Sequence, residues 1–281
     1  LNVELDALLT FETLEKNSSK EVISEDGSTR DSGRVSVYFY IDVSKANHSR
    51  AMGDEMASIY VGPKRKKFLV HKKLICEASD FFSKAFTGGF QESQGDSMHL
   101  PEDDPNAFAL FIDWIYRSKI PTMKPEDQAT ASRLAITLYN LYIFAEKLCL
   151  DDLANATMDE IQKLVDSYWY PLDLDQHSAL ISKVYTETPS DSPLRKFCSH
   201  IMAFDLCTEK KSPKDELLPI DNTGLEKAWN VCKDHVDLFR DFWSHMLTIE
   251  CEPLDPFYTE VYPRCYFHKH RDGSDRENCK W

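Results

Sequence analysis

The stretch SIYVGPKRKKFLVHKKLICEASDFFSKAFTGGFQES, residues 58–93, and the stretch MHLPEDDPNAFALFIDWIYRSKIP, residues 98–121, decide how this chain folds. Ser58-Ile59-Tyr60-Val61 runs into Gly62-Pro63 and a charged turn, Lys64 to Lys67, and then into Phe68-Leu69-Val70. Two short β-branched and aromatic runs flanking a Gly-Pro turn predict a β-hairpin. From Lys72 the pattern becomes helical, with Leu74, Ala78, Phe81, Phe82 and Ala85 predicted inward and Gly88-Gly89 as the stop. A short strand is predicted at Met98–Leu100. Asp104-Pro105 then reads as an N-cap with proline in the first helical position, where its missing N–H costs nothing. That helix puts Phe108, Phe111, Trp114 and Ile115 on one face.

Working outward, Leu134, Leu138, Leu141, Ala145 and Leu148 predict a helix over 131–148, and Leu153, Ala156, Ile161 and Leu164 another over 151–167. Beyond them Ser192-Pro193 opens a helix with Leu194, Phe197, Ile201 and Phe204 inward. Thr223 and Glu226 form a capping box. It leads a stripe of Leu225, Trp229, Cys232, Val236, Phe239, Trp243 and Met246, predicted to be a core face. On the other side, residues 17–34 are polar and rich in Ser and Asp, as a loop or disordered linker would be. Val35 to Val43 alternates apolar residues with period two, which predicts a strand.

Composition narrows the function. The 281 residues carry 33 Lys and Arg against 47 Asp and Glu, a net charge of −14. Nucleic-acid binding draws much of its affinity from cations neutralising phosphates, and anionic membranes repel acidic chains, so neither partner is expected. The charge is uneven: net −5 over residues 1–56, +2 over 57–125 and −11 over 126–281. No basic segment leads into a signal-length apolar run, and no stretch approaches the roughly 20 apolar residues of a membrane helix. The sequence opens on Leu1 and not on Met, so whether the true N-terminus precedes it is left open. Eight cysteines without a CxxC pair suit reduced thiols in the cytoplasm or nucleus.

The quoted stretches resemble a BTB/POZ domain in the form common in fungal proteins. The resemblance rests on Val61-Gly62, Phe68 with Val70-His71-Lys72, Ser79 with Phe81-Phe82, Phe90-x-Glu92, the Leu100 to Pro105 run, and Phe108 with Trp114-x-Tyr116. It extends through the helices to about residue 167. Later pieces, Val184-Tyr185, Thr188-Pro189 and Ser192-Pro193-Leu194-Arg195, are similar to the tails of such proteins. The organisation expected is an N-terminal extension over 1–56, a BTB/POZ-like domain over 57–167, and a helical region with a Cys/His tail over 168–281. The fold class is α+β.

The resemblance implies protein–protein association, as a scaffold or adaptor subunit that docks a cullin of a ubiquitin ligase. An apolar residue and a glutamate after the second helix serve that docking in the family, and Phe90 and Glu92 stand in their place. The alternative is a homotypic assembly module in transcriptional or chromatin regulation. In dimerising relatives an acidic residue opens the first strand and a basic residue follows the helix-start histidine. Lys72 fits the second place, whereas the first falls on Glu55 or Met56 and not on an aspartate, a departure from the pattern that implies a homodimer. No zinc-finger array or repeat module follows to recruit a substrate, which leaves that task to the helical C-terminal region.

Three smaller features carry bland readings. His71 is expected to be a hydrogen-bonded structural imidazole, and Lys64 to Lys67 a solvated turn. Cys265-x2-His268-x-His270-x8-Cys279 has zinc-type ligands. Its second pair lacks finger spacing, so neither metal nor any other cofactor is expected. Cys76 near His71 and Cys198 near His200 could be drawn as thiol–imidazole pairs, but neither has a catalytic signature around it, and no enzymatic activity is expected.

Overall fold

The computed structural model describes residues 52–88, 96–168, 174–208, 226, 229–248, 264–270 and 279. The chain forms two units, Leu1–Asn47 and His48–Trp281, and every described residue lies in the second. The linker over 17–34, the strand over 35–43, Phe90, Glu92, Thr223 and Leu225 lie outside the described residues.

The predicted hairpin is present as β1 (Met56–Val61) and β2 (Lys66–His71), paired antiparallel with Ile59 opposite Phe68. Its turn needs glycine. Gly62 has a φ of +73°, and a Cβ there would lie 2.9 Å from the Pro105 ring. The Gly62 N–H also donates to the Leu100 carbonyl at 2.8 Å, locking the turn to the third strand. That strand, β3 (Ser97–Leu100), lies parallel to β1, so the sheet order is β2-β1-β3. A parallel partner needs a crossover. Two helices supply it: α1 (Lys72–Ala78) and α2 (Asp80–Thr87).

One continuous helix was the expectation for 72–87, and Ser79 breaks it. Its backbone is extended (φ −151°, ψ 130°), and its hydroxyl accepts the Phe81 N–H at 3.2 Å as the N-cap of α2. The break resets the helical phase. Ile75, Phe82 and Phe86 become the buried residues, while Phe81, predicted inward, is 42% exposed.

Helix α3 (Pro105–Arg117) starts as predicted, with Asp104 accepting the N–H groups of Asn106 and Ala107 at 2.9 and 2.8 Å. Its Phe108 and Phe111 meet Phe68, Phe82 and Phe144 in an edge-to-face and stacked cluster, with ring centres 5.0 to 6.0 Å apart. Asp103 reaches forward to Lys147 at 2.9 Å, so one member of the acidic run ties α3 to the end of the next helix.

That helix, α4 (Gln128–Lys147), is buried on every side from Leu141 to Ala145. One flank meets α3 and α5 (Asp151–Tyr168), and another meets α6 (Leu174–Glu187). Lys183 of α6 donates to Asn140 at 3.0 Å. Ser192, just before α7 (Pro193–Thr208), donates to Glu146 at 2.7 Å. The helices beyond residue 168 therefore share the core that the sheet and α3 begin. Leu194, Phe197, Ile201 and Phe204 are buried as predicted.

Arg195 anchors this half. It is 6% exposed and donates to the Thr188 hydroxyl at 3.0 Å, the Tyr185 carbonyl at 2.6 Å and the Thr188 carbonyl. Its guanidinium also lies over the Tyr185 ring. The Tyr185, Thr188 and Arg195 positions of the tail motif thus form one clamp between α6 and α7, while Ser192 ties the same loop to Glu146 of α4.

The stripe expected over 225–246 does not form one core face. A short helical stretch ends at Cys232, the chain turns at Lys233 and Asp234, and α8 (Val236–Thr248) starts in a new phase. Cys232, Leu238, Phe242 and His245 are buried, while Trp229, Val236, Phe239, Trp243 and Leu247 are exposed. A single turn's interruption was enough to bring a different face inward.

Two substitutions test these joints. Gly62→Val forces a β-branched residue into the left-handed region against Pro105, and is expected to lower stability by about 2 kcal/mol or more in chemical denaturation. Arg195→Met leaves buried carbonyls without donors and is expected to cost about 3 kcal/mol, with Arg195→Lys recovering only part of it.

Candidate functional site

The surface that the sequence marks is built where β1, α1 and β3 begin. Strand pairing sets Met56 opposite His71 and Ser58 beside Ser97, so three chain segments start at one edge. The Lys72 N–H donates to the Glu55 carbonyl at 2.9 Å, and the Ser58 N–H to the Asp96 carbonyl at 2.8 Å. This frame holds the Lys72 ammonium 3.4 Å from Glu55 and 2.6 Å from Asp96. The Asp96 hydrogen bond, more than the Glu55 one, holds the lysine pKa above its usual value despite partial desolvation.

Of the predicted site residues, Glu55 and Lys72 are brought together, while Phe90 and Glu92 lie outside the described residues. Asp96 was missed. It stands 24 residues from Lys72 with no periodicity linking them, and only the parallel pairing of β1 with β3 makes them neighbours.

The same sheet has an outward face. Tyr60 and His99 stack with ring centres 4.9 Å apart, and Arg65 bonds His99 at 2.9 Å while lying over Tyr60. The basic turn is thus solvated, with one of its members ordered on the sheet. Met56 and Leu69 are 37% and 51% exposed, and Phe81 stands out from α2. His71 is a structural imidazole. Tyr116 accepts its backbone N–H at 3.2 Å and lies 2.6 Å from Nδ1.

Neither thiol–imidazole pair is poised for nucleophilic chemistry. Burial raises the Cys76 pKa, and its thiol donates to the Phe82 carbonyl at 3.7 Å. Burial pushes Cys198 up to about 12 and His200 down to about 3. A thiolate–imidazolium pair needs both shifts reversed. His200 instead stacks on His245, ring centres 3.6 Å apart, with Nδ1 2.7 Å from the Lys196 carbonyl.

The C-terminal tail gathers what the sequence spaces apart. A short turn, Arg264–Phe267, packs Phe267 on Phe197, their ring centres 5.1 Å apart. One ligand atom each from Cys265, His270 and Cys279 lie within 4.8 Å of one another. His268 places Nδ1 3.2 Å from the Cys279 sulfur and Nε2 2.9 Å from Asp159 of α5. Asn155, one turn earlier on α5, accepts the Lys269 N–H at 2.8 Å and donates to its carbonyl at 3.0 Å.

A small β2-β1-β3 sheet with a helical crossover, backed by a helical hairpin, defines a recognisable class. The family model of the BTB/POZ domain matches residues 54–164. The chain carries a BTB/POZ domain there, a protein–protein interaction module of a family that also forms homodimers.

The histidine shift fixes a pH dependence. His200 is neutral when folded and titrates near 6.5 when unfolded, so its contribution is complete above about pH 6.5 and is lost as pH falls towards 3. Denaturant titrations are expected to show stability falling by up to about 1.4 kcal/mol per pH unit in that window from this group. His200→Asn is expected to flatten the slope.

Proposed function

We propose that this chain is a scaffold or adaptor subunit of the type common in fungal proteins, with its BTB domain docking a cullin scaffold of a ubiquitin ligase. The observation that carries the reading is Phe81. The Ser79 break turns this large apolar side chain outward on α2, the helix that leads into Phe90-x-Glu92. Partner binding of this kind uses an apolar anchor that fills a pocket beside a charged contact. Phe90 and Glu92 supply that pair in the reading, and Phe81 extends the apolar side. Substrate recruitment falls to the helices after residue 168. The reading places its work in the cytoplasm or nucleus, where the eight cysteines without a CxxC pair would stay reduced.

A second reading has its own support. Glu55 and Lys72 form an ion pair at the edge where dimerising relatives carry an acidic and a basic residue. On that reading the chain is a homotypic assembly module, serving transcriptional or chromatin regulation without a ligase.

Light scattering on the purified chain, alone and with a cullin N-terminal domain, separates the two. The adaptor reading expects a stable complex that Phe90→Ala/Glu92→Ala abolishes and Phe81→Ala weakens. Capture unchanged by the double substitution sinks it. A mass of twice 32.5 kDa without added cullin, lost on Lys72→Glu, supports the homotypic reading.

A further inference from the structure

The C-terminal tail brings together a set of side chains that neither the interaction surface nor the core explains. Cys265 and Cys279 are thiols outside any disulfide. Their sulfurs and a ring nitrogen of His270 lie within 4.8 Å of one another, although 14 residues separate the cysteines. His270 Nε2 is buried and has no hydrogen-bond partner in the described structure. Leaving a buried ring nitrogen unsatisfied costs free energy, so such an atom points to a partner that the polypeptide does not supply.

His268 supplies the second, independent sign. Its side chain is 1% exposed, and it turns Nε2 to the Asp159 carboxylate at 2.9 Å while Nδ1 faces the Cys279 sulfur at 3.2 Å. A carboxylate on one ring nitrogen, with the other aimed at the ligand cluster, is the outer-shell arrangement that orients a metal-bound histidine. With Zn–S near 2.3 Å and Zn–N near 2.0–2.1 Å, tetrahedral zinc sets sulfur and nitrogen ligands about 3.6 Å apart. The His268–Cys279 distance is already close to that edge.

We propose that Cys265, His268 through Nδ1, His270 and Cys279 form a structural zinc site. Two thiolates and two imidazoles are borderline-soft donors, the set that selects zinc over magnesium or calcium. Four protein ligands close the coordination sphere, so the site is structural and holds no open position for chemistry. Binding draws the Cys265, His270 and Cys279 atoms together, brings His268 Nδ1 from its place beside Cys279 into the fourth position, and releases the two thiol protons.

The site is mounted on the interaction domain. Asp159 and Asn155 both belong to α5, the last helix of the BTB match, and Asn155 clamps the Lys269 backbone from both sides. Lys269 reaches Glu146 at 3.8 Å and Asp151 at 3.9 Å, and Phe267 packs on α7. The metal thus fastens the tail across α5 and α7. The sequence marked these four residues as zinc-type ligands, but their spacing lacks a finger pattern because they converge on a tail packed against distant helices and not through a local knuckle.

The test uses the full chain produced with zinc in the medium. Metal analysis is expected to find about one zinc per chain, retained on gel filtration. Cys265→Ser/Cys279→Ser should lose it, while Cys149→Ser, at an exposed thiol elsewhere, should keep it. Asp159→Ala should weaken zinc affinity by about 10- to 100-fold in a chelator competition. Cobalt(II) exchanged into the unsubstituted chain should give intense tetrahedral d–d bands with thiolate charge transfer, a readout that needs no variant to fold. A folded chain with far less than one zinc, a zinc content unmoved by the double substitution, or a cobalt spectrum without thiolate bands would each overturn the proposal.

Discussion

Helix α4 has no solvent side between Leu141 and Ala145, and that burial constrains everything packed around it. An isolated BTB-like layer would cover one flank, through Phe108, Phe111 and the partner helix α5. The other flank carries Tyr139 and Tyr142, both fully buried, and needs α6 and α7 to keep it from water. At about 25 cal/mol per Å2 of apolar area, exposing side chains of this size would cost several kcal/mol. The polar ties across the joint, Lys183 to Asn140 and Ser192 to Glu146, then set the register of helices already held together by packing. Glu146 illustrates the balance: burial raises its pKa, and the Ser192 hydroxyl and Lys269 ammonium pull it back.

The hairpin, the third strand, the Asp104 cap and helices α3 to α5 were legible because their signals are local. A Gly-Pro turn, an Asp-Pro N-cap and a 3.6-residue period each act within a few residues. The same logic failed at Ser79 and at Lys233–Asp234. In both places the apolar pattern continued without interruption through a real break in the helix. Periodicity records which side chains could share a face, but one extended residue rotates everything that follows. Phe81, Phe239 and Trp243 were assigned inward for that reason and face solvent. No short-range signal marks the Ser79 break except the serine itself, a residue favoured at helix starts that the uninterrupted apolar pattern around it outweighed.

The candidate site divides in the same way. Glu55 and Lys72 could be picked from motif positions, whereas Asp96 joins them only through a parallel strand pairing. The tail ligands were visible as residue types and invisible as a cluster. Their separation along the chain argued against a metal, and the packing of Phe267 on Phe197 and of the Lys269 backbone on Asn155 brings them together regardless. Long-range polar contacts of this sort have no periodicity to read. The Arg195 clamp is intermediate: its members recur within eleven residues, yet only the folded loop between α6 and α7 shows that a single guanidinium connects them.

The all-round burial of α4 also sets where this protein can be cut. The family match stops at residue 164, but the cooperative folding unit does not. A fragment ending there would display Tyr139 and Tyr142 and strand the Asn140 and Glu146 side chains without Lys183 and Ser192. Surfaces of that kind recruit chaperones or a second copy, so such a fragment would report associations that the intact chain never makes. Interaction screens that use the domain as bait would be reading the cut face together with the native one.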